Sequence, residues 1–251
     1  MHDHRFEYLL RLADNALVLA QRLSEWCGKG PVLEEDMALT NVALDLIGQS
    51  RQWLAYAGEV DPAGRDEDTL AFLRDAHEFR NLLLVEQPNG TYADTIARQF
   101  YFDTWHFLLL RGLLGSSDSR IGAIAEKSQK EAAYHARRSA DLVVRLGEGT
   151  ELSRTMIQAS LDGLWTYTGE MFALDPVAAA MARAGIAPLP AALQSPWINH
   201  VRSVFDEAGL TMPSSEAWMQ QGGVRGVHTE HLGYLLAEMQ FLQRAYPGAQ
   251  W

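Results

Sequence analysis

A chain of 251 residues, 47% apolar and 21% charged, has ample material for one sizeable buried core, and that balance excludes a disordered polymer. Its net charge of −11, from 21 Lys and Arg against 32 Asp and Glu, repels phosphate backbones and anionic bilayers. Nucleic acid and membrane are therefore excluded as partners; a protein with a basic patch suits the chain better, although the acidity also serves solubility.

In chain order, Met1-His2-Asp3-His4-Arg5 shows no apolar signal-peptide stretch, so a cytoplasmic protein is expected. From Phe6 to Trp26, Leu9, Leu12, Ala16, Leu19 and Leu23 fall at steps of three and four, one face of a helix that Gly28-Lys29-Gly30-Pro31 stops. The single cysteine, Cys27, excludes an intrachain disulfide or a thiolate cage, and its default role is a small buried hydrophobe. A second helix opens on Glu34, Glu35 and Asp36, where the helix dipole favours acids, and ends near Gly58. It carries Leu39, Val42, Leu46, Trp53 and Leu54 on one side. A shorter helix is predicted from Thr69 to Leu84, closed by Gln87-Pro88-Asn89-Gly90.

Tyr92 to Leu114 is apolar almost all round, the mark of a central helix. Gly115-Ser116-Ser117-Asp118 offers a turn and an N-cap for a long helix to Leu146, and another helix spans Leu152 to Phe172. Pro176, Pro188, Pro190, Pro196 and Pro213 cut residues 175–226 into short pieces. A last helix runs from His228 to Ala245, ahead of a tail that ends in Gln250-Trp251. The apolar runs, such as Leu82 to Val85 and Phe107 to Leu110, are too short to cross a bilayer, and no stretch alternates as a strand does. The expected fold is all-α: a ferritin-like four-helix bundle with extra flanking helices. One domain covers residues 1–251, with 175–226 its less regular part.

A di-iron carboxylate site in such a bundle needs a carboxylate on each of two helices and Glu-x-x-His on each of the other two. Residues three apart lie one turn up on nearly the same helix face, so Glu and His can share a metal. This chain offers fragments of that pattern. Asp45 is followed three residues on by Gly48; Asp103 precedes His106 by three; Ala132 precedes His135 by three, with Glu131 offset by one. Buried polar residues held by one another, or by a cation such as Arg98 or Arg51, explain Asp45, Asp103 and His135 equally well. His228-Thr229-Glu230-His231 lacks the two-His spacing of a zinc protease, so capping and packing are expected there. Gly222-Gly223 and Gly226 follow no strand and precede no Lys-Ser/Thr, which excludes a phosphate loop. Trp53, Trp105 and Trp165 sit at core spacing.

Several stretches together carry a resemblance: LVLAQRLSEWCG, NVALDLIGQSR, DEDTLAFLRD, NLLLVEQPNGTYADTIARQFYFDTWH, KEAAYH, HTEHLG and LAEMQFLQRAYPGAQW, spread from Leu17 to Trp251. They resemble the C-subunit family of the bacterial phenylacetyl-CoA ring epoxidases of aerobic phenylacetate degradation. The resemblance implies a ferritin-like chain paired with a homologous catalytic A subunit, which holds the di-iron centre and binds phenylacetyl-CoA. Two copies of each form the core, and a small B subunit and a flavin/iron–sulfur reductase complete the system.

Laid over the A subunit's ligand pattern, the first glutamate falls at Asn15 and the first Glu-x-x-His at Asp45 and Gly48. The third helix's carboxylate falls at Asp103, and the second Glu-x-x-His at Ala132 and His135. These six read as vestigial di-iron positions, so no catalytic, cofactor-binding or metal residue is expected here and the iron belongs to the partner. The implied role is a non-catalytic structural subunit in a hetero-oligomer, with self-dimerisation left open. Two rivals are a di-iron oxygenase using Asp45, Asp103, His106, Glu131 and His135 in an unusual register, and a carrier holding an apolar ligand in an emptied cavity.

Overall fold

Capped helices form along most of the chain. A computed structural model describes residues 4–249; Met1-His2-Asp3 of the opening run and Gln250-Trp251 of the tail lie outside the described residues. Among the described residues there is no strand, and the helices are α1 (His4–Ser24), α2 (Leu33–Val60), α3 (Glu67–Phe72), α4 (Tyr92–Leu113), α5 (Ser119–Glu148), α6 (Glu151–Trp165), α7 (Pro176–Arg183), α8 (Pro190–Glu207), α9 (Glu230–Met239) and α10 (Phe241–Ala245). They fall into two compact units, one of Met1–Pro88 with Gly222–Trp251 and one of Asn89–Gln221.

In the first unit α1 packs along α2. Every residue from Leu12 to Ala20 is buried, so α1 is covered on all sides rather than on one face. Asp14 and Asn15 imitate a solvent face in the sequence, yet both point inward and are satisfied there. The Arg74 guanidinium forms a buried ion pair with Asp14, its Nη1 donating to Oδ2 at 2.9 Å. It also lies 4.2 Å from the centroid of the Phe79 ring. The turn before α2 depends on glycine: Gly28 has φ +77°, and a Cβ on Gly30 would sit 2.7 Å from Asp36 Cα. Cys27 lies exposed in this turn, which corrects its expected burial.

The helix expected from Thr69 to Leu84 also needs correction. It stops at Phe72, a 3-10 turn follows over Ala76–Glu78, and Phe79 and residues 81–87 are buried without a regular helix. Side chains of α1 take the place of the helical ladder. The Arg80 N–H donates to Asp14 Oδ2 at 2.8 Å, the Leu82 N–H donates to Asn15 Oδ1 at 2.8 Å, and Arg22 Nη2 donates to the Glu86 carbonyl at 2.7 Å. Buried backbone groups need a partner but not a helical one, and here the non-local partner wins.

Residues 222–229 then cover this segment. A Cβ on Gly223 would meet the Asn81 carbonyl at 2.1 Å, and one on Gly226 (φ +77°) would meet the His77 carbonyl at 2.1 Å, so these glycines serve close backbone approach. The expected last helix divides at Gln240, whose side chain donates to the carbonyls of Ala71 and Arg74 at 3.1 and 3.0 Å.

In the second unit α4 opens with a capping box, the Thr91 N–H donating to Asp94 Oδ2 at 2.7 Å and the Asp94 N–H to Thr91 Oγ1 at 3.3 Å. Every residue from Thr95 to His106 is buried, as its all-round apolarity predicts. Asp118 caps α5 through the N–H groups of Arg120 and Ile121, and α5 packs along α4. The helix expected over 152–172 ends at Trp165, because the Thr166 carbonyl accepts from the Gln220 N–H at 2.8 Å and its hydroxyl donates to the Trp218 carbonyl. Against expectation, Pro196 does not break the proline-rich region there: α8 runs through it and forgoes the bond to the Ala192 carbonyl. Trp197 compensates. It is 2% exposed, its Nε1 donates to the Tyr101 carbonyl at 3.0 Å, and its ring stacks 5.7 Å from Trp165.

Removing one member of a buried ion pair leaves the other charge uncompensated. Replacing Arg74 by Met should lower stability by about 3–5 kcal/mol, and the Asp14→Leu/Arg74→Met pair should recover part of that loss. Denaturant unfolding of the two variants beside the unmodified chain measures both effects.

Candidate functional site

The six positions that a di-iron bundle singles out have different surroundings. In the first unit Asn15 is buried on α1 with its amide oxygen taken by the Leu82 N–H. Asp45 is half-buried on α2, not fully buried as expected, and Gly48 is exposed. A Cβ built on Gly48 would meet nothing within 4 Å. The buried pair at the same spacing on α2 is Leu46 and Gln49, each 0% exposed. Arg51 points into solvent and pairs with Glu67 at 3.1 Å, so it balances no core acid.

In the second unit three of the singled-out side chains come together. Asp103 on α4 and His135 on α5 are buried and interact, with the Ser139 hydroxyl, Arg138 and Arg98 also acting on the Asp103 carboxylate. Burial raises the Asp103 carboxyl and His135, Ser139, Arg138 and Arg98 pull it partly back, leaving it at about 6. His106, between the rings of Phe102 and Trp105, is driven down to about 3 by burial and then by His135, so it stays neutral near pH 7. Its Nδ1 has no hydrogen-bond partner among the described residues. Ala132, one turn before His135, is 0% exposed and offers a methyl group. Arg98 is fully buried and donates to Asn89 Oδ1 at 2.7 Å.

Among the described residues, no three of His, Cys, Asp and Glu cluster closely enough to hold a metal ion. No described helix is long and apolar enough to cross a membrane.

A second polar cluster, in the first unit, gives the HTEHLG stretch its place. Glu86 is 0% exposed and accepts from Asn81 Nδ2 at 3.0 Å and from the Thr229 N–H at 2.6 Å. His228 sets Nδ1 2.9 Å from Glu86 Oε2 and Nε2 3.0 Å from the Phe79 carbonyl. As a neutral ring it donates to one of these acceptors; as an imidazolium it donates to both. The packing role expected of this stretch holds, although His228 and Thr229 precede the helix rather than open it. Sequence reading missed Glu86, Arg22, Asp14 and Arg74 as buried charges: the last three lie in stretches that periodicity assigns to helices, and Glu86 stands beside an expected turn.

Across residues 1–251 the chain matches the family described as phenylacetic acid catabolic protein. It belongs to that family. The family's all-helical, ferritin-like class is the one expected from the sequence. The chain is also 51% identical over 244 residues to the C subunit of the 1,2-phenylacetyl-CoA epoxidase of Escherichia coli (strain K12), a match covering 97% of this chain and 98% of that protein.

The Asp103 environment makes a pH-dependent contribution to stability. An acid whose folded value is raised binds its proton more tightly when folded, so its contribution is complete below the unfolded value of 3.8 and is lost as pH rises through about 6. A rise of that size corresponds to about 3 kcal/mol at most. Replacing Asp103 by Asn should remove this slope. The stability difference between variant and unmodified chain should shift toward the variant by up to about 3 kcal/mol between about pH 4 and pH 7, in denaturant titrations at both values.

Proposed function

We propose that this chain is the non-catalytic, structural subunit of a multicomponent phenylacetyl-CoA epoxidase, supporting a separate catalytic subunit that holds the di-iron centre in aerobic phenylacetate degradation. The observation that carries this reading is Ala132. Where a Glu-x-x-His ligand pair needs a carboxylate one turn before His135, a fully buried methyl group stands instead. The other departures point the same way: the Asn15 amide is engaged by the Leu82 N–H, and Gly48 has no side chain and faces outward. What remains together is one carboxylate, Asp103, with the imidazoles of His135 and the nearby His106. That donor set does not fit two irons, which need bridging and terminal carboxylates from four helices. The Escherichia coli relative is by name one subunit of an epoxidase, which supports a place within a multisubunit enzyme.

The physical task of such a subunit is linkage. A partner that binds only the folded form of the catalytic chain raises its folded fraction and holds its metal-bearing helices in register. The catalytic subunit purified alone should therefore be less soluble and less active than its complex with this chain, at matched iron content. Equal specific activity with and without this chain would refute the structural role. Near-stoichiometric iron in this chain purified alone would refute its non-catalytic assignment.

A further inference from the structure

Helix α2 has two apolar faces, and only one is used by the fold. Leu39, Leu46, Trp53 and Ala57 are fully buried, as a core-facing stripe should be. On the opposite side Leu33, Met37, Leu44 and Ile47 are 71, 56, 60 and 36% exposed. Their spacings of four, seven and three residues keep them on one line along the helix, with exposed Gly48 beside Ile47 and exposed Arg51 at the far end. The strip is about 27 Å long at 1.5 Å per residue, enough to seat a partner helix over several turns. Nothing lies within 4 Å of a Cβ built on Gly48, so a facing helix can approach the backbone there.

The charges on α2 indicate what covers the strip. The helix carries five carboxylates, Glu34, Glu35, Asp36, Asp45 and Glu59, against one arginine, and the whole chain carries −11. A second copy would bring another net charge of −11 against this one, and in a parallel arrangement would set Glu34, Glu35 and Asp36 against their own copies. A different protein, with an apolar helix ridge flanked by lysines or arginines, meets both requirements.

We infer that the exposed face of α2 is a docking strip for such a basic-rimmed helix on the catalytic subunit. This rests on the proposed function and names the surface through which it operates. The strip supplies apolar area, and the acidic edge, Glu34 foremost, sets partner choice and orientation.

The test is direct binding of the full chain to the catalytic subunit, followed by sedimentation velocity and calorimetry at low and high salt. Leu44→Glu and Ile47→Glu change exposed residues and should leave circular dichroism and melting temperature unaltered while weakening binding by about 30-fold or more. Glu34→Lys should weaken it less, by about 5–10-fold, and flatten its salt dependence. Tyr234→Glu, an equally exposed apolar residue on α9, should bind like the unmodified chain.

If the unmodified chain binds and the two α2 variants bind equally well, the docking strip is refuted and the proposed function survives. If the unmodified chain fails to bind, both fall. A dimer of this chain alone that Leu44→Glu dissociates would assign the strip to a second copy and overturn the inference.

Discussion

The first unit depends on the burial of one carboxylate. Asp14 is 0% exposed in the middle of a helix surrounded by apolar packing, and an unpaired charge there would cost about 3–5 kcal/mol, a large share of the stability a domain has in reserve. Arg74 and the Arg80 N–H supply what Asp14 needs, and in doing so they fix the course of residues 74–80. Asn15, one residue on, does the same for Leu82. Two adjacent polar residues of α1 thus set where a buried, non-helical segment runs, and that segment in turn offers Glu86 and the Phe79 carbonyl to His228. The carboxy-terminal return, glycines included, is shaped to a surface that Asp14 and Asn15 created.

The same accounting applies in the second unit and bears on the metal question. A buried acid in a di-iron bundle is balanced by the irons. Here Asp14 has Arg74, and Glu86 has His228, Asn81 and the Thr229 N–H. Asp103 has His135, Ser139, Arg138 and Arg98 around it and holds a proton more readily than an exposed carboxyl does. Each of these acids is balanced by the chain's own side chains, backbone or a proton, so the core is self-sufficient in charge. Ala132 suits such an interior, because a methyl group in a close-packed core contributes burial and demands no partner.

Much of the helical framework was legible because its signals are local. Asp36 at the start of α2, the Gln87-Pro88-Asn89-Gly90 turn before α4, Asp118, and the glycine at 28 act within a few residues of themselves, and the boundaries of α1, α2, α4 and α5 lie close to them. What was not legible is non-local. Nothing between Thr69 and Leu84 announces that Asp14 and Asn15, more than sixty residues upstream, will take its backbone donors. Pro196 reads as a break because the compensating contact, Trp197 on the Tyr101 carbonyl, comes from a distant helix. The orientation of Asp45 and Gly48 differs from expectation for another reason: periodicity picks the inner face of α2 correctly, through Leu39, Val42, Leu46, Trp53 and Leu54, whereas it is the ligand pattern that singles out Asp45 and Gly48, which lie off that face.

The second apolar side of α2 is itself informative. A helix of a self-contained bundle needs one apolar face, and exposing a second costs solubility, so a second face points to a surface covered elsewhere. In α2 the surplus lies on Leu33, Met37, Leu44 and Ile47, along the same side as Gly48, whereas Leu46 and Gln49 hold the interior. Under the proposed function, an interior that balances its own buried acids and a surface that leaves apolar area uncovered suit a component of an assembly. On that proposal the methyl group at Ala132 and the apolar surface at Leu44 belong to one division of labour, in which this chain would supply shape and contact area and its partner the oxygen activation.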